Sequence, residues 1–139
     1  MIIRFSSMGD IIYTTPVIRC LKKQIPGVEV HFLTKKKFQF IFDGNPYLDK
    51  LHLLKDQLSE TITELKNEKF DYVIDLHNSL RSALVKLQLG VRSSTFNKMR
   101  FRKWLALRFK INTVPATHLV DRYMDTVTFL GVKNDEAPI

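Results

Sequence analysis

The chain has 139 residues, of which 45% are apolar and 11% aromatic, and 22 Lys or Arg against 14 Asp or Glu give a formal net charge of +8. That balance supports one domain with a real core and excludes a disordered chain. One cysteine, Cys20, excludes an internal disulfide and fits a reducing cytosol, where it reads as a small buried apolar residue. No apolar run approaches the roughly 20 residues of a membrane-spanning helix, and no basic-then-apolar opening suggests a secretory signal.

Met1-Ile2-Ile3-Arg4-Phe5 reads as a buried first strand, and Ser6-Ser7-Met8-Gly9-Asp10 as the loop that follows. A helical pattern runs from about Ile11 to Gln24. Because Pro is favoured in the first turn of a helix, Thr15-Pro16 predicts a regular helix with Thr15 as N-cap and Pro16 as its first residue. Ile11 to Thr14 then form a short turn. Pro26-Gly27 ends the helix.

Val28 to Leu33 alternates and predicts a second strand. Lys35-Lys36-Lys37 opens a short helix with Phe38, Phe40, Ile41 and Phe42, and Asp43-Gly44-Asn45-Pro46 breaks it. Leu51 to Leu54 predicts a third strand. Asp56 to Asn67 predicts a helix with Leu58, Ile62 and Leu65 on one stripe. Phe70 to Leu76 is rich in β-formers and predicts a fourth strand. A helix through Ala83, Leu84 and Leu87 ends at Gly90, and Val91 to Phe96 predicts a fifth strand. Met99 to Lys110 is a basic, aromatic-bearing helical stretch. The last helix spans about Thr117 to Leu130, with Thr117 as N-cap and Gly131 as stop. Strands alternating with helices give an α/β fold, a Rossmann-like parallel sheet with helices on both faces.

In a parallel sheet the carboxyl ends of the strands share one edge, where ligands bind. Ser6 to Asp10 follow the first strand and His77 to Arg81 follow the fourth. In the strand order 3-2-1-4-5 those two strands are neighbours, so Asp10 and His77 are expected in one crevice. Asp10 could serve as a general base or as a helix cap. His77 could bind a substrate hydroxyl or phosphate, or a backbone carbonyl. Arg81 could pair with an anionic group or stand in solvent. Asp71 and Asp75, four apart on one strand, are expected on one face and do not make a D-x-D metal pair. No G-x-G-x-x-G, Walker A sequence, cysteine cluster or H-E-x-x-H occurs, so the sequence signals no dinucleotide cradle and no zinc site. From Arg81 to Lys110 there are nine Lys or Arg and no Asp or Glu. That block is either a solvated face or one turned to nucleic acid, anionic lipid or an anionic substrate.

The opening Ser6-Ser7-Met8-Gly9-Asp10-Ile11-Ile12-Tyr13-Thr14-Thr15-Pro16 resembles the S-S-x-G-D-x-x-x-T-x-P start of the ADP-heptose:lipopolysaccharide heptosyltransferases. The likeness continues through Leu21-Lys22, Pro26, Asn45-Pro46 and Asp49. It goes on through Phe70-Asp71, Ile74-Asp75-Leu76-His77, Arg81-Ser82, His118, Asp121-Arg122-Tyr123 and Leu130-Gly131. It implies an inverting glycosyltransferase of GT-B architecture, while the sequence itself calls for no cofactor and shows no metal requirement. By the resemblance, residues 1–132 are the N-terminal, acceptor-side domain, 133–139 begin an interdomain linker, and the donor-binding domain is absent.

Asp10 then matches the family's proposed general base. Gly9 lets the backbone approach the sugar or diphosphate. Ser6, Ser7, Met8, Thr14, His77, Asn78 and Arg81 are the implied substrate-binding set. The implied partners are ADP-heptose, mainly through the missing domain, and an anionic Kdo/lipid A acceptor. The implied location is cytoplasmic; Phe101, Trp104 and Phe109 could rest on the inner-membrane surface, or their helix could pack on the sheet with its basic positions in solvent. A nucleic-acid-binding or small-molecule-binding module without catalysis is the alternative, and nucleic acid is not an expected partner.

Overall fold

The computed structural model describes residues 1–96 and 116–139. The basic stretch from Met99 to Lys110, with Phe101, Trp104 and Phe109, lies outside them. In chain order the elements are β1 (Ile2–Ile3), α1 (Met8–Ile12), α2 (Thr15–Gln24), β2 (His31–Lys35) and a 3₁₀ helix (Lys36–Phe42). Then follow β3 (Lys50–Leu54), α3 (Leu58–Lys66), β4 (Tyr72–Asp75), α4 (Leu80–Leu89) and β5 (Arg92–Thr95). Helix α5 (Ala116–Met124) and a 3₁₀ helix (Asp125–Leu130) follow the undescribed stretch.

The sheet order is β3-β2-β1-β4-β5, and every pairing is parallel. This is the expected α/β architecture, with β1 central and β4 beside it. Alternate side chains feed two cores. Ile2, Phe32 and Ile74 face Val17, Ile18 and Leu21 of α2, with Val120, Tyr123 and Val127 completing that layer. Met1, Ile3, Phe5, Leu33 and Val73 face Ile62 and Leu65 of α3 and Val85 of α4. Each fully buried side chain of this kind contributes about 1.5–3 kcal/mol, which fixes the strand register, since a one-residue slip would exchange the two faces.

Several boundaries differ from the sequence reading, each for a physical reason. Thr14, not Thr15, is the N-cap of α2, and Pro16 is the second helical residue. The first four amides of a helix have no internal acceptor, so Pro is equally acceptable there. Met8 to Ile12, read partly as loop and turn, form a helix. Strand β2 starts at His31, and its first four residues are all buried. The alternation of Val28–Leu33 is therefore not the sheet period, because a central parallel strand is covered on both faces. Asp71 is exposed and precedes β4, so it does not share a strand face with buried Asp75. Helix α4 packs through Ser82 and Val85, while Leu84 and Leu87 face outward. Thr117 lies inside α5 rather than capping it.

Residues 133–139 are held against α2. Arg19 donates Nε to Asp135 Oδ2 at 2.8 Å and Nη2 to Asp135 Oδ1 at 2.7 Å. Its Nη1 reaches the Pro138 carbonyl at 2.9 Å, and Gln24 Oε1 accepts the Lys133 amide at 2.8 Å. The Arg19 guanidinium beside Asp135 holds its carboxyl well below the usual carboxylate range.

Candidate active site

The carboxyl edge of β1 and β4 is assembled around a residue that composition and motif reasoning passed over. Arg4 continues β1 and is buried. Its Nη1 donates to the Leu76 carbonyl at 2.8 Å, and its Nη2 donates to Asp10 Oδ2 at 2.8 Å. One guanidinium thus ties the end of β4 to the loop after β1, where a planar fork with several donors can serve both at once. The signal for it was a lone cation inside Met1-Ile2-Ile3-Arg4-Phe5, since a charge in a buried strand needs a partner.

Asp10 is the third residue of α1. Its Oδ2 also accepts from Ser7 Oγ at 2.9 Å, and from the Ser7 amide at 3.5 Å, the outer limit of such a bond. Asp10 therefore caps α1, as its type and place suggested. All these contacts fall on Oδ2. Oδ1 has no hydrogen-bond partner among the described residues, and the side chain is 35% exposed. Capping uses one oxygen and leaves the other available at the edge of the sheet.

Across from it, Asp75 closes β4 fully buried. Its Oδ1 accepts the amides of His77 at 3.0 Å and Asn78 at 2.8 Å. Lys86 Nζ lies 2.9 Å from its Oδ2 and donates to Thr95 Oγ1 at 2.7 Å. That contact with Oδ2 is ionic rather than a directed hydrogen bond. Asn78 takes a left-handed backbone, φ 55°, which Asn tolerates better than most residues. Its side-chain amide donates to the Phe96 carbonyl at 3.1 Å. The His77 ring packs 5.0 Å from that of Phe5, and the Arg81 guanidinium carbon lies 5.2 Å from the same ring.

The structure thus brings Ser7, Asp10, His77, Asn78 and Arg81 to one edge. Ser7, Met8 and Gly9 are exposed there and Ser6 is half-buried. Thr14 does not join them: it is fully buried and its hydroxyl donates to the Ile11 carbonyl at 2.5 Å. Gly9 has no positive φ, and a Cβ there would meet nothing within 4 Å, so neither backbone conformation nor internal packing explains a glycine. Tyr123 is buried within electrostatic reach of Arg4 and Asp10, and burial pushes its phenol up to about 12. Lys35 to Lys37, at the end of β2, add positive charge along the same edge.

Residues 59–137 match the model of glycosyltransferase family 9 (heptosyltransferase), more than half of the chain. The chain belongs to that family. It is 30% identical over 138 residues to lipopolysaccharide heptosyltransferase 1 of Campylobacter coli, a match spanning 93% of this chain and 40% of that protein. It is 25% identical to lipopolysaccharide heptosyltransferase 3 of Escherichia coli strain K12, across 89% of this chain and 40% of that one. Among solved structures, E. coli heptosyltransferase WaaC with ADP-2-deoxy-2-fluoro heptose superposes with TM-score 0.71 at 20% identity, over 99% of this chain and 50% of that one. The glycosyltransferase family 9 protein from Veillonella parvula gives TM-score 0.67 at 20% identity, over 96% and 41%. These superpositions speak for the fold alone. The family 9 chain spans about 40% of the length of the curated relatives it matches.

Other residues of the family resemblance are scaffold. Lys22 Nζ donates to both oxygens of Asp49 at 2.8 and 2.9 Å and to the Val28 carbonyl at 2.8 Å. That ion pair, with the Val30 amide at 2.6 Å, pulls the Asp49 carboxyl below its ordinary range. Asn45 Oδ1 accepts the Tyr47 amide at 2.9 Å, an Asx-turn that sets the chain into β3.

Proposed function

We propose that this chain is the acceptor-side half of a two-domain GT-B glycosyltransferase that moves a heptose from ADP-heptose to the lipopolysaccharide inner core with inversion. Family membership supports the reaction class. The observation that carries the role of this half is the divided carboxylate of Asp10, with Oδ2 held by Arg4 and Ser7 and Oδ1 open at the carboxyl edge.

Asp10 Oδ1 takes the proton of the acceptor hydroxyl. The acceptor oxygen attacks the anomeric carbon from the face opposite ADP. The bond to the diphosphate oxygen breaks, ADP leaves with that electron pair, and configuration inverts. General base catalysis of this kind contributes typically 10²–10⁴-fold. Arg4 is a positioning residue, since it orients the carboxylate and touches no substrate. Exposed Gly9 lets a sugar or phosphate approach the backbone, and Ser7, Met8, His77, Asn78 and Arg81 line the crevice. Lys35–Lys37 and Arg81 match an anionic Kdo/lipid A acceptor.

No helix among the described residues is long and apolar enough to cross a membrane. The chain works at the cytoplasmic face of the inner membrane. There, outward-facing Leu80, Leu84 and Leu87 lie on a helix without acidic residues, which suits contact with anionic lipid. The division of labour is tested with the chain alone, given ADP-heptose and a Kdo–lipid A acceptor. Acceptor binding without ADP release is the expected result. Sugar transfer by this chain alone, or failure to bind the acceptor, would contradict it.

A further inference from the structure

A second polar cluster lies at the opposite, amino-terminal edge of the sheet and plays no part in the chemistry above. His31 opens β2, His52 lies in β3, and Glu68 sits between α3 and β4. The register pairs His31 with Lys50 and Leu33 with His52, so both imidazoles project from one face. His31 Nδ1 lies 2.9 Å from His52 Nε2. One ligand atom from each of His31, His52 and Glu68 falls within 4.8 Å of the others. Both histidines are buried, at 4% and 5% exposure, with the Phe70 ring edge-on to each at 5.2 and 5.9 Å. A cavity of about 840 Å³, lined in part by Glu29, His31 and Glu68, connects the cluster to solvent.

We propose that His31, His52 and Glu68 bind a first-row divalent transition-metal ion, Zn²⁺ being the simplest case, through His31 Nδ1, His52 Nε2 and a Glu68 carboxylate oxygen. Two imidazoles with one carboxylate are a Zn²⁺ ligand set that leaves a fourth position for water. Zn–N distances of about 2.0–2.1 Å place two tetrahedral ligands roughly 3.3 Å apart, so the imidazoles part by a few tenths of an ångström from their 2.9 Å contact and turn their lone pairs to a common point while the Glu68 side chain swings in.

The surroundings favour the ion. The Glu29 carboxylate lies 3.1 Å from His31 Nε2. A carboxylate on the second ring nitrogen fixes the proton there and leaves Nδ1 with its lone pair toward the ion. Without metal, His52 Nε2–H donates to His31 Nδ1. Metal binding moves that proton to His52 Nδ1, with no net proton released. Glu29 and Glu68 outnumber Lys50, the cation paired with Glu68, so with neutral imidazoles the cluster carries net negative charge. A bound ion would clip the start of β2 and the middle of β3 to the α3–β4 connection.

The test is calorimetric titration of the chain with Zn²⁺, with Co²⁺ absorption in the visible as a report on imidazole ligation. One ion per chain with micromolar or tighter affinity is expected. Glu68→Gln should weaken binding roughly tenfold or more, and His52→Gln should remove it. Lys50→Met should tighten it several-fold, because the ammonium competes for the Glu68 carboxylate. Glu68 and Lys50 stand at the rim, so those two variants keep the test valid if His52→Gln fails to fold. Absence of saturable binding in the micromolar range would overturn the proposal. So would binding unchanged by Glu68→Gln and Lys50→Met, which would place the ion on other side chains.

Discussion

Asp75→Ala is the sharpest probe of how the site is held. Asp75 is fully buried and accepts two backbone amides that shape the turn carrying His77 and Asn78. Each such bond to a charged acceptor contributes about 1.5 kcal/mol at the low end of its range, which suits a turn that water can reach. Together they give about 3 kcal/mol. Stripping Lys86 of its carboxylate adds about 1–2 kcal/mol. That is less than a fully buried pair, since the Lys86 side chain is 17% exposed and keeps Thr95. The total loss is about 4–5 kcal/mol. Unfolding entropy of about 2.1 cal/mol/K per residue over 139 residues converts this to a fall in Tm of about 15 °C. Asp75→Asn keeps an oxygen for both amides and loses only the charge, so it should cost about 2 kcal/mol, or about 7 °C. Scanning calorimetry of both variants at neutral pH measures this. An Asp75→Ala midpoint close to wild type would refute the assignment. An Asp75→Asn loss as large as that of Asp75→Ala would show that the Lys86 pair, not the amides, dominates.

Arg4→Met keeps the apolar stem and removes the donors to Asp10 and the Leu76 carbonyl. It should cost about 3 kcal/mol in a denaturant titration and, in the two-domain enzyme, lower kcat more than it raises the acceptor KM. Gly9→Ala adds a Cβ that meets no atom within 4 Å. Thermal stability should stay level or rise by up to about 1 kcal/mol, while transfer falls because substrate needs that space. Arg19→Ala should release residues 135–139, seen as faster amide exchange at Ala137. Arg19 holds the Asp135 carboxyl below its unfolded pKa of 3.8, so in the wild type the contact contributes fully above 3.8, contributes less as pH falls from there, and is lost through the depressed folded value. Exchange in the tail should therefore quicken in acid for the wild type and be nearly indifferent to pH in the variant, after correction for intrinsic rates.

The alternation of strands and helices was legible because turn residues punctuate the chain, and the strand-loop-helix opening placed Asp10 at the sheet edge. The strand order was the common one for such a sheet and the structure has it, and the contact of His77 with Phe5 bears out the shared edge. What escaped depends on pairing in three dimensions. Arg4 was read only as part of the first strand, and its reach to both Asp10 and Leu76 reveals its use. Asp75 was read only against Asp71, as no D-x-D metal pair, whereas it holds the backbone two and three residues on. Leu84 and Leu87 marked the helix but not its packed side, since an apolar row at helical spacing need not face the core, and in α4 the buried side is Ser82 and Val85. His31, His52 and Glu68 come from separate elements, so no spacing pattern announces them.

The central claim is that Asp10 is the general base, and the direct test is ADP release from ADP-heptose with a Kdo–lipid A acceptor by the two-domain enzyme. Wild type and Asp10→Asn are compared with folding and acceptor binding measured alongside. The amide oxygen of Asn still accepts from Arg4 and Ser7, so the fold should hold, but it takes no proton. A loss of turnover of about 10²–10⁴-fold with acceptor affinity kept is the predicted result. Turnover near that of wild type would contradict the account and leave Asp10 as a helix cap only.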